Sequence, residues 1–182
     1  MIIFLESKNI GHNNLKLTGT IPKYLYPLFY DFVNYCRNKI GIDNTTINLN
    51  FKQVKNNEIG FVNFSNVLNG ENKIIIDKNA SYPFLLKYIA HELTHIKQII
   101  NKELQIKEGF FIWNNERNIS IAEYNIIIKN YDFDTYKNLE WEKEAYDNQY
   151  KILNDYISTD SLKNLATQAT DPTLKYILLN AF

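Results

Sequence analysis

The chain has 182 residues with 20 basic and 20 acidic side chains, so its formal net charge is zero. This balance gives no support for a nucleic-acid partner, and 45% hydrophobic with 14% aromatic residues is typical of a folded globular protein. No segment approaches the roughly 18 apolar residues of a membrane helix, so we expect no membrane partner. The length predicts a single domain over residues 1–182, with a core at about 22–158 and a tail at 159–182 that docks on it.

The compartment is predicted from the cysteine content and the first residues. Cys36 is the single cysteine and cannot form an internal disulfide, which suits a reducing compartment. The opening MIIFLESKN has no basic segment before its short apolar run, which argues against a signal peptide. We therefore expect a cytoplasmic protein of a bacterium or of a virus-infected cell.

The first half of the chain contains one predicted helix and three predicted strands. Apolar residues at helical spacing predict a helix over Tyr24–Gly41, which Gly41 ends. Thr45–Phe51, Glu58–Ser65 and Asn72–Asp77 have the pattern of short strands separated by polar turns. We expect these strands to pair in antiparallel fashion.

The second half alternates between helical and extended patterns. A helix is predicted from Tyr82 or Pro83 to about Asn101, followed by a strand at Glu108–Asn114. The pattern of Asn118–Ile128 fits a strand or a helix, and a helix is expected over about Leu139–Tyr156. The order of these elements predicts an α+β domain.

The segment YIAHELTHIKQ in the second predicted helix carries the candidate chemistry. At about 100° per residue, His91, His95 and Gln98 form one stripe of this helix. Two histidines four residues apart on one face can converge on a single zinc ion. Glu92 lies beside that stripe, where it can reach a water on the metal without being a ligand. The opposite stripe is aliphatic and consists of Leu86, Ile89, Leu93, Ile96 and Ile100.

A catalytic zinc needs a third protein ligand, which has to come from elsewhere in the chain. LEWEKEAYDNQY places Glu140, Glu142 and Glu144 near the start of the later helix. Carboxylates in a first turn stabilise the helix dipole, which is a sufficient reason for Glu140 and Glu142. We therefore predict Glu144 as the ligand, with Glu142 and then Glu140 as alternatives. His12, in a polar N-terminal stretch, is expected to be exposed and not a ligand.

The segments HELTHIKQ, GFFIWN and LEWEKEAY resemble small zincin-like proteins of bacteriophages and bacteria, in the glutamate-zincin class of zinc metallopeptidases. Those proteins typically read HELxHxxQ, then a strand with tryptophan, then P-W-E-x-E-A. The resemblance covers roughly Lys73–Tyr150, and Glu140 stands where the pattern usually has proline. It implies a minimal zincin-like fold, in which a small, mostly antiparallel sheet packs on the HExxH helix beside a second, Glu-bearing helix.

By the same resemblance, His91, His95 and Glu144 bind one Zn²⁺ and Glu92 is the catalytic base. The implied activity is the hydrolysis of peptide bonds in a peptide or protein substrate, by a water that the metal activates. A peptide could add as a strand to the edge of Asn72–Asp77 or its neighbour.

Three further residues are candidates for supporting roles. Tyr136 or Tyr131 could donate to the oxyanion, and Asp147 could orient a histidine. Two other interpretations stay open at this point: a catalytically silent zincin fold that serves in binding or virion assembly, and a surface helix without metal.

Overall fold

The computed structural model describes residues 14–54 and 60–180 and has an α+β fold. His12 lies outside the described residues. The strands are β1 (Leu15–Gly19), β2 (Ile47–Lys52), β3 (Gly60–Val62), β4 (Lys73–Asp77), β5 (Leu104–Lys107), β6 (Phe110–Trp113) and β7 (Glu116–Ser120). The helices are α1 (Tyr26–Ile40), α2 (Phe64–Leu68), α3 (Tyr82–Ile100), α4 (Ile121–Lys129), α5 (Phe133–Lys137), α6 (Glu140–Ser158), α7 (Asp160–Gln168) and α8 (Pro172–Asn180).

Helix α1 confirms the first helical prediction. Its first turn contains Pro27, where the missing backbone amide costs no helical hydrogen bond. Gly41 follows the helix at φ 75°, a left-handed conformation that glycine adopts without a steric penalty. The apolar face of α1 is buried, including the thiol of Cys36, so this cysteine is a core residue.

A four-stranded sheet with the order β1-β2-β4-β3 supplies one wall of the core. The strands β1, β2 and β4 pair in parallel, and only β3 pairs in antiparallel fashion with β4. The prediction of antiparallel pairing is therefore wrong for β2 and β4. Alternation in a sequence such as INLNFK fixes which side chains face the core, but it does not fix the direction of the neighbouring strand. The residues between β2 and β4 are numerous enough for a parallel crossover.

A second, smaller sheet has the order β5-β6-β7 and is antiparallel throughout. Strand β6 confirms the strand predicted at Glu108–Asn114, whereas β5 was not predicted. The ambiguous segment Asn118–Ile128 contains both structures, because β7 ends at Ser120 and α4 begins at the next residue. The Ser120 hydroxyl accepts from the Glu123 amide and the Glu123 carboxylate accepts from the Ser120 amide, and this capping box fixes the start of α4.

Helix α3 contacts β3 and β4 of the larger sheet and also packs along α6, so it lies between them. The two helices run antiparallel, since Lys87 donates to Tyr150 near one end and Gln98 donates to the Trp141 carbonyl near the other. Helix α8 adds buried leucine and isoleucine side chains to the same core. None of the helices in residues 14–54 and 60–180 combines the length and apolar character needed to cross a membrane.

Candidate metal centre

Helix α3 buries two faces, and each has a different partner. Leu86, Ile89, Leu93 and Ile96 of the predicted aliphatic stripe are fully buried in the core. At the end of that stripe the prediction is wrong, because Ile100 is 43% exposed and Ile99 is buried in its place. The histidine stripe does not face solvent. It is covered by α6, so the polar side chains on it need partners from that helix.

Those partners include Glu142, which lies against both histidines of the motif. The Nε2 atoms of His91 and His95 are 3.1 Å apart. The Oε2 atom of Glu142 is 3.3 Å from Nε2 of His91 and 3.4 Å from Nε2 of His95. The three side chains are between 4% and 12% exposed, so water is largely excluded from the space between them.

These distances fit a metal ion at the centre of the three atoms. An ion about 2.0–2.2 Å from each ligand in tetrahedral geometry holds its ligand atoms about 3.3–3.6 Å apart. The three observed separations, 3.1, 3.3 and 3.4 Å, lie at or just below that spacing. Apart from its contacts with the two histidines, the buried Glu142 Oε2 atom has no hydrogen-bond partner among the described residues. His91, His95 and Glu142 can therefore hold a metal ion.

The charges of the cluster also favour a cation. Burial opposes the ionisation of Glu142, but the two histidines outweigh it and hold the pKa of this carboxyl well below its ordinary range. Burial lowers the pKa of His95, whereas the Glu142 and Glu92 carboxylates and the Gln98 side chain raise it, with a net result of about 9. Without a metal, a proton on His95 therefore supplies the positive charge that the carboxylate requires.

Gln98 connects His95 to the helix that carries Glu142. Its amide nitrogen donates to the Trp141 carbonyl at 2.9 Å and to Glu144 Oε2 at 3.0 Å, which uses both of its hydrogens. Its oxygen, 2.9 Å from Nδ1 of His95, must then accept from that ring nitrogen. With the hydrogen on Nδ1, neutral His95 directs the lone pair of Nε2 toward the cluster, as a metal ligand must. Nδ1 of His91 has no such partner among the described residues.

The structure places Glu142, rather than the predicted Glu144, beside the two histidines. Glu144 accepts from Lys97 at 2.9 Å and from Gln98, and Glu140 accepts from Asn118 at 3.0 Å. The buried face of α6 contains Glu142, Ala145 and Gln149, a spacing of three and four residues that matches the helical repeat. A favourable first-turn position does not exclude a role as a ligand, and Glu142 combines that position with contacts to both histidines.

The candidate metal centre is supported by residues of this chain alone. Comparisons with protein-family models, with curated proteins and with solved structures found no match. The chemical role of the cluster is therefore inferred from its geometry, its burial and the chemistry of its side chains.

A cavity of about 370 Å³ opens beside the cluster, with Glu92, His95 and Glu142 in its lining. Burial raises the pKa of Glu92, and the nearby histidines and a hydrogen bond from the Val62 backbone oppose that rise. Val62 belongs to β3, the edge strand of the larger sheet, and also lines the cavity. The cavity on the open side of the candidate metal position is thus lined both by Glu92, whose pKa is raised, and by the edge strand β3.

The three predicted supporting residues have different surroundings. Tyr136 lines the cavity, and burial together with the Glu142 charge raises the pKa of its phenol, which stays protonated as a donor. Tyr131 is 83% exposed and lies outside the cavity lining. Asp147 is exposed and forms no hydrogen bond or ion pair with any residue in the described ranges, so it does not orient either histidine.

Two residues of the site were not assigned a role from the sequence. Gln98 was placed on the histidine stripe, and its position three residues after His95 was a usable signal for a second contact to that ring. Tyr124 lines the cavity from α4, 6.2 Å from the Tyr136 ring. No spacing in the sequence connects Tyr124 to the motif, because it reaches the cavity only through the fold.

Proposed function

We propose that the chain is a zinc-dependent metallopeptidase, in which His91, His95 and Glu142 bind zinc and Glu92 is the general base. The observation that carries the proposal is the convergence of these three ligand atoms at tetrahedral spacing beside a cavity that contains Glu92. Two imidazoles and one carboxylate with a further position open to the cavity are the donor set of catalytic zinc sites.

The residues of the proposed site have separate roles in such a reaction. Bound zinc would polarise the carbonyl of the scissile peptide bond and lower the pKa of a water. Glu92 takes a proton from the attacking water and passes it to the leaving amine, which its raised pKa favours. The protonated phenol of Tyr136 can donate a hydrogen bond to the oxygen on which negative charge develops.

The position of β3 supports a peptide or protein as the substrate. Among the described residues, strand β4 pairs on both sides, with β2 and β3, and β3 therefore forms the edge at this end of the sheet. A peptide that adds to β3 as a further strand would gain backbone hydrogen bonds and pass the cavity that Val62 shares with Glu92. The lone, unpaired thiol of Cys36 is compatible with the cytoplasmic location that we also propose.

Replacement of Glu92 by glutamine tests the proposal. Glu92→Gln keeps the shape of the side chain but cannot accept the proton, so we expect about 10²- to 10⁴-fold slower cleavage of unfolded casein, with zinc content unchanged. Glu71→Gln, on an exposed residue before β4, is the matched control and should cleave as the wild type does. Wild-type protein that binds zinc but cleaves neither casein nor a peptide library would contradict the peptidase and support a silent binding or virion-assembly protein.

A further inference from the structure

The lining of the cavity beside Glu92 includes five aromatic rings. Phe111 stacks on Trp141 with ring centroids 5.2 Å apart and lies 4.8 Å from the Tyr124 ring, so three elements contribute to one aromatic wall. Ile99 and Leu104, which are almost fully buried, also line the cavity. The complete aromatic set is Phe61, Phe111, Tyr124, Tyr136 and Trp141. Such a lining stabilises a side chain that gains by leaving water.

The charged groups of the lining select against an acidic occupant. They are Glu92, His95 and Glu142, and no lysine or arginine is among the described lining residues. An anionic side chain in this cavity would lose its hydration beside the Glu92 carboxylate, with no lysine or arginine among the described lining residues to pair with. A neutral apolar side chain meets neither cost.

The size of the cavity limits how much of a substrate it can hold. Its volume of about 370 Å³ is near the lower end of the roughly 300–1,000 Å³ found for ligand pockets. That is space for one large side chain, and it is too little for several consecutive residues. Because Glu92 and Glu142 line the same cavity, the occupant must belong to a residue close to the reacting bond.

We propose, on the basis of the peptidase function above, that this cavity is a specificity pocket for one large apolar or aromatic side chain next to the scissile bond. The substrates are then peptides with phenylalanine, tyrosine, tryptophan, leucine or methionine at that position. Peptides with aspartate or glutamate there are rejected.

Amino-acid hydroxamates test the pocket without any cleavage, because their hydroxamate group chelates zinc while the side chain is free to enter the cavity. We expect phenylalanine hydroxamate to bind the zinc-loaded protein about 10- to 100-fold more tightly than aspartate hydroxamate in calorimetric titrations, the ratio that burial of one aromatic side chain gives. Equal affinities, or no binding by either compound, would overturn the pocket.

Two pairs of variants locate the preference in this cavity. Phe61→Lys adds an ammonium group at the rim and should shift the ratio at least fivefold toward aspartate hydroxamate, whereas Phe84→Lys, on an exposed ring outside the lining, should not. Ile99→Phe fills the pocket and should weaken phenylalanine hydroxamate at least tenfold, whereas Ile100→Phe, on its exposed neighbour, should leave it unchanged. Ile99→Phe can disturb the core because Ile99 is buried. If Ile99→Phe does not fold, Phe61→Lys, on a half-exposed ring, decides the test. An unchanged ratio in folded Phe61→Lys overturns the proposal.

Digestion of a peptide library separates this proposal from the peptidase function. Sequenced products should show large apolar residues enriched, and acidic residues depleted, on one side of the cleaved bonds. Cleavage without that enrichment overturns the pocket and leaves the peptidase intact. Absence of cleavage, together with selective binding of phenylalanine hydroxamate, overturns the peptidase and leaves the pocket as a binding site.

Discussion

Replacement of Glu142 by glutamine removes the carboxylate that faces both histidines. Its Oε2 atom is 3.3 and 3.4 Å from the two Nε2 atoms, which are themselves 3.1 Å apart. Because the three separations are similar, the three ligands should contribute comparable free energies to zinc binding. Structural zinc sites with four ligands bind with roughly 10–16 kcal/mol, which is about 2.5–4 kcal/mol for each ligand. Loss of one ligand should therefore weaken zinc binding about 10²- to 10³-fold.

The assay is a competition titration of untagged Glu142→Gln with a chromophoric zinc chelator, with circular dichroism to show that the fold is retained. Glu144→Gln is the matched control, since Glu144 contacts Lys97 and Gln98 and not the cluster. We expect its zinc affinity to stay within about threefold of the wild type. Loss of zinc by Glu144→Gln, with zinc retained by Glu142→Gln, would refute the assignment of Glu142 as the ligand.

Three further results are expected. Gln98→Leu removes the hydrogen-bond acceptor of His95 Nδ1 and should weaken zinc binding about 10- to 100-fold in the same titration; an unchanged affinity would show that Gln98 does not position the ring. Zinc must displace the proton from His95, whose pKa is about 9, so zinc affinity should rise about tenfold for each pH unit between 7 and 9 and fall on acidification; a flat profile would contradict this. Zinc at a concentration of about 100 times its dissociation constant should stabilise the fold by about 2.7 kcal/mol. In a chain of this size that stabilisation raises Tm by about 5–11 °C in calorimetry, and a chelator should reverse the shift. An unchanged Tm would contradict metal binding to the folded state.

The motif helix was predictable from the sequence because its periodicity is local. The spacing of His91 and His95 fixes their common face on any helix, and that face is turned away from the aliphatic stripe whatever the rest of the fold. The end of the stripe was wrong at Ile100, because in the last turn of α3 the neighbouring Ile99 is the residue that packs on the core.

The third ligand and the strand directions depend on tertiary structure. Whether Glu142 or Glu144 reaches the histidines is decided by the rotation of α6 about its own axis where it packs on α3, and the local sequence of acidic residues does not determine that rotation. The buried spacing from Glu142 to Ala145 and Gln149 carried a signal, because it continues the apolar face of the helix. Parallel pairing of β2 with β4 results from a crossover connection, which alternation within a strand does not encode.

The cavity was the least predictable feature, because its lining comes from separate parts of the chain. Phe61 lies on β3, Phe111 on β6, Tyr124 on α4 and Trp141 on α6. Each of these aromatic residues has an ordinary place in its own element. Only the packing of those elements brings them to one side of Glu92.

The central claim is that His91, His95 and Glu142 together bind zinc. An anomalous-difference map from crystals of zinc-loaded protein, measured on both sides of the zinc absorption edge, tests it most directly. We predict one peak about 2.0–2.2 Å from the Nε2 atoms of the two histidines and from a carboxylate oxygen of Glu142. A peak with Glu144 or Glu140 as the carboxylate ligand, or no peak at the histidines, would contradict the account.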